Sequence, residues 1–306
     1  MTGKNATEVL AADAAGIARA AAVLRAGGLV ALPTETVYGL AARADDPDAV
    51  ARIYAAKGRP DFNPLIVHVA DIRQAAAYVE FDMVSKGLAQ QHWPGPLTLV
   101  LPLRADAGLA PAVSAGLPTL AVRAPAHPVM RAVLQAVEFP LAAPSANRSG
   151  FISPTCAAHV LASLDGRIDL VLDGGSCAAG LESTIAAVRR DGEVDVLRPG
   201  PIDLGSVAPP TEAIEAPGQL ASHYAPGKPV RLKAERAGPG EFMIGFGPIA
   251  CDCNLSQSAD LDEAARRLYA CLHEAALAAH PRIAVAPVPE IGVGKAINDR
   301  LRRAAA

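Results

Sequence analysis

Short apolar runs bounded by Gly, Pro or polar residues recur along the chain and alternate with stretches of helical period. An Ala-rich stretch interrupted by Asp13, Arg19 and Arg25 predicts an amphipathic helix, ended by Gly27 and Gly28. Leu29 to Leu32 then predicts a strand, and "TETVYGLAARA" a loop. "DDPDAVARIYAAKGRP" predicts a helix with defined ends: Asp45 or Asp46 as cap, Pro47 in the first turn, Gly58 after the last. "PLIVHVA" is apolar without alternation, as in a strand buried on both faces, and a helix follows to about Gln91. Further strands are predicted at "PLTLVLPL", "TLAVRAP", "FPLAAP", "LVLDGG", "STIAAVRR" and "EVDVLRPG", with short helices around Pro128 to Val137 and Thr155 to Leu164.

Many strands with few helices predict one α/β unit, a twisted, mixed, open sheet over residues 1–202. Residues 203–227 are rich in Pro and Gly, lack a periodic pattern and read as a linker. Residues 228–306 hold strands "PVRLKAE" and "FMIGFG", a helix from about Leu261 to Ala279, a strand "RIAVAPV" and a last helix "AINDRLRRAA". They form a smaller α/β, Rossmann-like domain near the lower size limit for independent stability, which implies docking against the first.

Composition narrows the class. With 51% apolar residues and 4% aromatic, the core is built from Ala, Val, Leu and Ile. A formal charge of −3 argues against a strongly basic nucleic-acid binder. Five cysteines, none in a CxxC pair, suit reduced thiols in the cytosol, and Cys251-Asp-Cys253 lacks the second cluster a zinc site needs. The N-terminus lacks the order of a signal peptide, and no apolar run is long enough for a bilayer, so a cytoplasmic location away from membranes is expected.

The candidate chemistry sits where strands give way to loops, the place where open α/β sheets bind ligands. Thr34 and Thr36 follow the first strand, Lys57 and Arg59 flank a helix end, and His68 interrupts an apolar strand. Arg123 ends "TLAVR", Ser145 and Asn147 follow "LAAP", Ser183 opens "STIAAV", and Arg198 follows "EVDVL". Each also has a plain structural role available: helix-end carbonyl partner for Lys57, core residue for His68, turn for "SAN", surface ion pair for Arg123. The phosphate loop GxxxxGKS/T is absent and "GVGK" is not a dinucleotide fingerprint, so phosphate binding here relies on guanidinium, ammonium and hydroxyl groups.

"ALPTETVYGLAA", "AAKGRPDFNPLIVHV", "WPGPLTLVL", "LAVRAPAHP", "AAPSANRSG" and "LESTI" together resemble the YrdC-type threonylcarbamoyl-AMP synthases over about residues 15–201. The hallmark Lys-x-Arg and Ser-x-Asn pairs are Lys57/Arg59 and Ser145/Asn147, and "APGQLASHYAPGKPV" and "GVGKAINDRLRRAA" resemble the linker and C-terminal end of the long, two-domain form. The resemblance implies that L-threonine, bicarbonate or CO2, and ATP give threonylcarbamoyl-adenylate and pyrophosphate, with Mg2+ as the expected ion. It further implies that downstream transfer proteins use the product to modify tRNA. It assigns Lys57 and Arg59 to catalysis, and Lys57, Arg59, Asn63, Thr119, Ser145, Asn147, Ser153, Arg198 and Tyr224 to ATP. Thr34, Thr36, His68, Arg123, Ala143 and Ser183 fall to threonine, with a methyl pocket expected near Leu32, Ala143 and Ser183. His223 and Tyr224 of "SHYAP" suit a linker that closes over the nucleotide. Two other classes stay open: a double-stranded RNA or tRNA binder, for which Arg300, Arg302 and Arg303 leave room for weak contact, and a carbamoyl-transfer regulator that releases no pyrophosphate.

Overall fold

The apolar runs pair into two sheets in the computed structural model, which describes residues 6–189, 191–205, 215–217 and 223–306. The first unit runs β1 (Glu8–Ala11), α1 (Ala14–Arg25), β2 (Val30–Leu32), β3 (Gly39–Arg43), α2 (Pro47–Lys57), β4 (Ile66–His68), α3 (Ile72–Ala75), α4 (Met83–His92) and β5 (Leu97–Pro102). It continues with β6 (Thr119–Arg123), α5 (Pro128–Val137), β7 (Leu141–Ala142), α6 (Ala157–Leu164), β8 (Leu170–Asp173), β9 (Thr184–Val188) and β10 (Val194–Arg198). The second unit holds β11 (Val230–Arg231), β12 (Glu241–Gly245), β13 (Cys253–Asn254), α7 (Leu261–Leu277), β14 (Arg282–Val285) and α8 (Gly294–Ala304).

Ten strands form one mixed sheet in the order β1-β8-β2-β3-β7-β4-β6-β5-β9-β10. Strand β2 shows why its sequence does not alternate: Leu29 and Ala31 face one core, Val30 and Leu32 the other, where α1 and α5 pack. The other four strands make a sheet of order β11-β14-β12-β13 whose described pairs are all parallel. Its core, built on α7 and α8, takes in Val37, Ile152, Leu181 and Tyr224 from outside the second unit. Contact is close: a Cβ on Gly180 would lie 2.4 Å from the Arg266 Cα of α7, and its φ of +70° also favours glycine.

Local chemistry sets the helix ends. The Asp13 carboxylate accepts from Gly16 N at 2.8 Å to cap α1. Asp46, rather than Asp45, caps α2, with Pro47 in the first turn and Gly58 left-handed at φ 58° after Lys57.

The predicted loop "TETVYGLAARA" contains β3, a strand of small residues buried on both sides that shows neither alternation nor β-branching. The helix expected up to Gln91 is divided into α3 and α4, because Asp71 and Asp82 each start a new cap. Strands β1 and β13 were not expected. The all-reduced cysteine expectation is also corrected. Cys253 of β13 and Cys271 of α7 form a disulfide across 18 residues with their Cα atoms 6.0 Å apart, and Cys156, Cys177 and Cys251 are free. Of the expected linker, residues 206–214 and 218–222 lie outside the described residues. No helix among the described residues is long and apolar enough to cross a membrane.

Candidate active site

Parallel pairing of β4 with β6 puts His68 beside Arg123 in register, on the face shared by Ile66 and Ala121. The Arg123 guanidinium is held on three sides: Nε donates to Gly95 O at 3.1 Å, Nη1 to Thr36 Oγ1 at 3.0 Å, and Nη2 pairs with Glu35 at 2.5 Å. Burial pushes the Glu35 carboxyl up, but Arg123 and the Ala126 N–H outweigh it and leave it below its ordinary range. Thr34 Oγ1 lies 2.8 Å from Thr36 Oγ1 and donates to Val37 O at 2.6 Å, which fixes the turn after β2. His68 is buried, and burial together with Arg123 pulls its pKa down to about 3, so its ring is neutral near pH 7. Its Nδ1 has no partner among the described residues.

A second group of cations faces the same cavity. Arg59 leaves the end of α2 and is braced by Asn63 Oδ1 and Pro64 O, both at 2.7 Å from Nη2. Burial lowers its pKa to about 10, which still leaves it charged at neutral pH. Arg198, at the end of β10, donates from Nη2 to Ser183 O at 2.9 Å and to Ser183 Oγ at 3.1 Å.

Lys57 departs from the exposed helix-end position that its sequence setting suggests: it is 3% exposed. Its Nζ donates to Ser145 O at 2.6 Å and also to Asn147 O, tying α2 to the "SAN" loop. Burial, then Arg59, push its pKa down. Asn147 uses its amide to hold Arg148 O and Phe151 O at 2.9 and 2.8 Å.

From the far side, His223 and Tyr224 close the cavity. Tyr224 is buried at φ +64°, a left-handed conformation uncommon for a bulky residue. The strap is held at both ends, by His223 N donating to Arg303 O at 3.2 Å and Ala225 N to Gly150 O at 2.8 Å.

The cavity holds about 580 Å³ of empty space, its open mouth included. Of the residues singled out from the sequence, Thr34, Thr36, Arg59, His68, Arg123, Ala143, Ser145, Ser183, Arg198 and Tyr224 line it. Lys57, Asn63, Thr119, Asn147 and Ser153 do not, and the first two stand behind the lining residues Ser145 and Arg59 as struts. Leu32 belongs to the core under α1 and α5, so the apolar wall is Val37, Ile66, Ala143 and Pro144 instead. Glu35 and Glu182 were missed. Glu35 stands between the two threonines of "TET" and Glu182 inside "LESTI", so both lay within motifs already noticed.

The basic cluster at the C-terminal helix is not a free patch. Arg300 is fully buried on Glu182 and Asp299, Arg303 pairs with Asp299 at 3.0 Å, and Arg302 with Glu290 at 2.7 Å. Among the described residues no group of three or more His, Cys, Asp or Glu could hold a metal ion.

Residues 22–200 match the Sua5_yciO_yrdC family model, described as telomere recombination, and residues 182–306 match Sua5_C, the C-terminal domain of threonylcarbamoyl-AMP synthase. A threonylcarbamoyl-AMP synthase of Bacillus subtilis is 40% identical, with 98% of this chain and 95% of that protein covered. One from Pyrococcus abyssi is 37% identical, with 93% and 92% covered. The crystal structure of P. abyssi Sua5 complexed with L-threonine superposes with a TM-score of 0.88 at 34% identity, over 98% of this chain and 96% of that one. E. coli YciO shares the fold alone, at TM-score 0.56 and 22% identity. Since both family models and full-length relatives span the sheet, the cavity and the docked second unit together, the chain belongs to the Sua5–YciO–YrdC family, in its two-domain form.

Proposed function

We propose that the chain is a threonylcarbamoyl-AMP synthase, converting L-threonine, CO2 or bicarbonate, and ATP into threonylcarbamoyl-adenylate and pyrophosphate. The observation that carries this is one cavity in which Arg59, Arg123 and Arg198 converge with a neutral histidine and several hydroxyls. In this reaction the threonine amine adds to CO2 to give a carbamate, a carbamate oxygen attacks the α-phosphorus, and pyrophosphate leaves. Two anions must meet, so fixed cations relieve their repulsion and a shared cavity lowers the entropic barrier.

The roles follow the two sides of the cavity. Arg123, with N–H groups beyond those used by Glu35, Thr36 and Gly95, suits the threonine carboxylate. Thr34, Thr36, the Ala143 backbone and Ser183 complete the amino-acid side. His68, whose buried Nδ1 has no partner among the described residues, suits a hydrogen bond to threonine. Arg59 and Arg198 face the phosphates with Ser145, while Lys57 and Asn63 hold that wall in shape and Asn147 holds the turn that follows through Arg148 and Phe151. Thr119, Ser153 and Tyr224 remain assigned to ATP. Mg2+ is assigned to the triphosphate, with which it enters as part of the substrate. The product passes in the cytoplasm to transfer proteins acting on tRNA.

A pyrophosphate-release assay with threonine, bicarbonate and ATP, each omitted in turn, tests the proposal. Release must need all three. ATP hydrolysis without threonine, or salt-sensitive RNA binding without turnover, would refute it.

A further inference from the structure

Glu182 is an unexpected wall for an anion pocket. The residue lines the cavity alongside Arg59, Arg198 and Ser183 and is 6% exposed. Left bare, it would oppose the triphosphate that the arginines attract, and a buried wall screens that repulsion poorly. It is not bare. The Tyr269 hydroxyl is 3.0 and 2.8 Å from its two oxygens, and Arg300 Nε donates to Oε2 at 2.9 Å. Both partners come from the second unit, on α7 and α8.

Arg300 has no exposed surface. Its Nη1 donates to Asp299 at 2.7 Å, and Asp299 also takes Arg303 at 3.0 Å. Its guanidinium carbon lies 5.4 Å from the Tyr224 ring centroid, behind the residue that closes the cavity. Its Nη2 has no partner among the described residues. An arginine buried this fully and satisfied this incompletely is costly to keep for stability alone.

We infer that Arg300 is a positioning residue through which the C-terminal unit balances the charge of the pocket: it neutralises Glu182, so that the wall accepts an anionic substrate, and backs the Tyr224 ring. The inference rests on the ATP-dependent function proposed above. Burial pushes the Glu182 carboxyl up, but Arg300 and Arg198 outweigh it and bring it to about 2, so the carboxylate is charged at neutral pH and needs its counter-ion.

Charge balance and simple structural support predict different signs. Breaking a purely structural ion pair from either side harms the protein in the same direction. Under charge balance, removing the cation weakens anion binding, whereas removing the carboxylate does not. The experiment is a double-mutant cycle on the full-length chain, with ATP and inorganic pyrophosphate as calorimetric probes and melting temperature as the folding control. Arg300→Met is expected to weaken ATP about tenfold or more, as an uncompensated buried charge does. Glu182→Gln is expected to bind ATP at least as tightly as the parent, and Glu182→Gln/Arg300→Met to recover most of the loss. Should Arg300→Met not fold, the double variant carries the test alone, because it buries no unpaired charge; ATP binding within about threefold of the parent supports the inference, and a loss of about tenfold or more overturns it. Equal weakening by the two single variants, or unchanged ATP affinity in a folded Arg300→Met, overturns it as well, as does a parent that binds neither probe. Pyrophosphate release is recorded in parallel. A parent that binds ATP but releases none with threonine and bicarbonate refutes the proposed reaction and leaves the cycle readable.

Discussion

Replacing Lys57 by methionine keeps most of the buried stem and removes the ammonium that joins α2 to the "SAN" loop. A lysine at an exposed helix end would contribute only about 0.3–1 kcal/mol through the helix dipole. Lys57 is instead 3% exposed and serves the carbonyls of Ser145 and Asn147. Its loss strands the buried Asn147 O, at about 1–3 kcal/mol, and takes one of two donors from the half-buried Ser145 O, which keeps Asn147 N. Relief of the ammonium's own desolvation, which already pulls its pKa down, offsets part of this. A net loss of roughly 1–2 kcal/mol follows, a sizeable share of the 5–15 kcal/mol typical of a folded domain. Urea unfolding near pH 7 measures it, and kinetics on the folded fraction then separate the second consequence. With Ser145 released from its strut, ATP affinity should fall even where the protein is fully folded. A Lys57→Met protein with the parent's unfolding midpoint would show that the two contacts contribute nothing and that the strut reasoning is wrong.

Acid should destabilise the protein early. His68 and His223 sit near 3 and His273 near 4 in the folded chain, all lowered first by burial, against about 6.5 when unfolded. Below about pH 6.5 the unfolded chain takes up protons that the folded one excludes, so each histidine removes about 1.4 kcal/mol per pH unit, or about 2 kcal/mol by pH 5; equal unfolding midpoints at pH 7.5 and 5.0 would contradict this. Tyr224→Ala should weaken ATP by about 1–3 kcal/mol, the usual worth of an aromatic face on a base, and shorten the lifetime of the adenylate; unchanged values for both leave the strap as a tether. Serine should be about 10–200-fold poorer than threonine in kcat/KM, because the threonine methyl gains the wall of Val37, Ile66, Ala143 and Pro144; equal efficiencies sink that assignment.

What the sequence made legible was local. Both ends of α2 could be read because a cap, a first-turn proline and a left-handed glycine act within a few residues of one another. His68 and Arg123 could be noticed as polar groups at strand ends, but that they are neighbours depends on the pairing of β4 with β6, which no local pattern announces. Strand β3 was hidden because a strand buried on both faces and built from Gly, Leu and Ala looks like neither a helix nor an alternating strand. Lys57 at its helix end gives no local sign of burial, because that burial comes from the loop at Ser145 to Asn147, far along the chain. Arg300 of α8 is hidden for the same reason: its partner Glu182 is 118 residues away, whereas Asp299 on α8 itself and Glu290 just ahead of it are within reach of a local reading.

The partners Glu182 and Arg300 are separated by 118 residues. At about 5–20 residues per second of synthesis, the carboxylate is made roughly 6–24 s before the cation that balances it. During that interval the first sheet can assemble around its cations, yet the Glu182 carboxylate in one wall of its cavity lacks its Tyr269 and Arg300 partners. Only when the final helix has been made and has docked does the cavity acquire both its charge balance and its Tyr224 closure. Under the charge balance inferred for Arg300, the position of that one arginine on α8 sets when the cavity is ready for nucleotide.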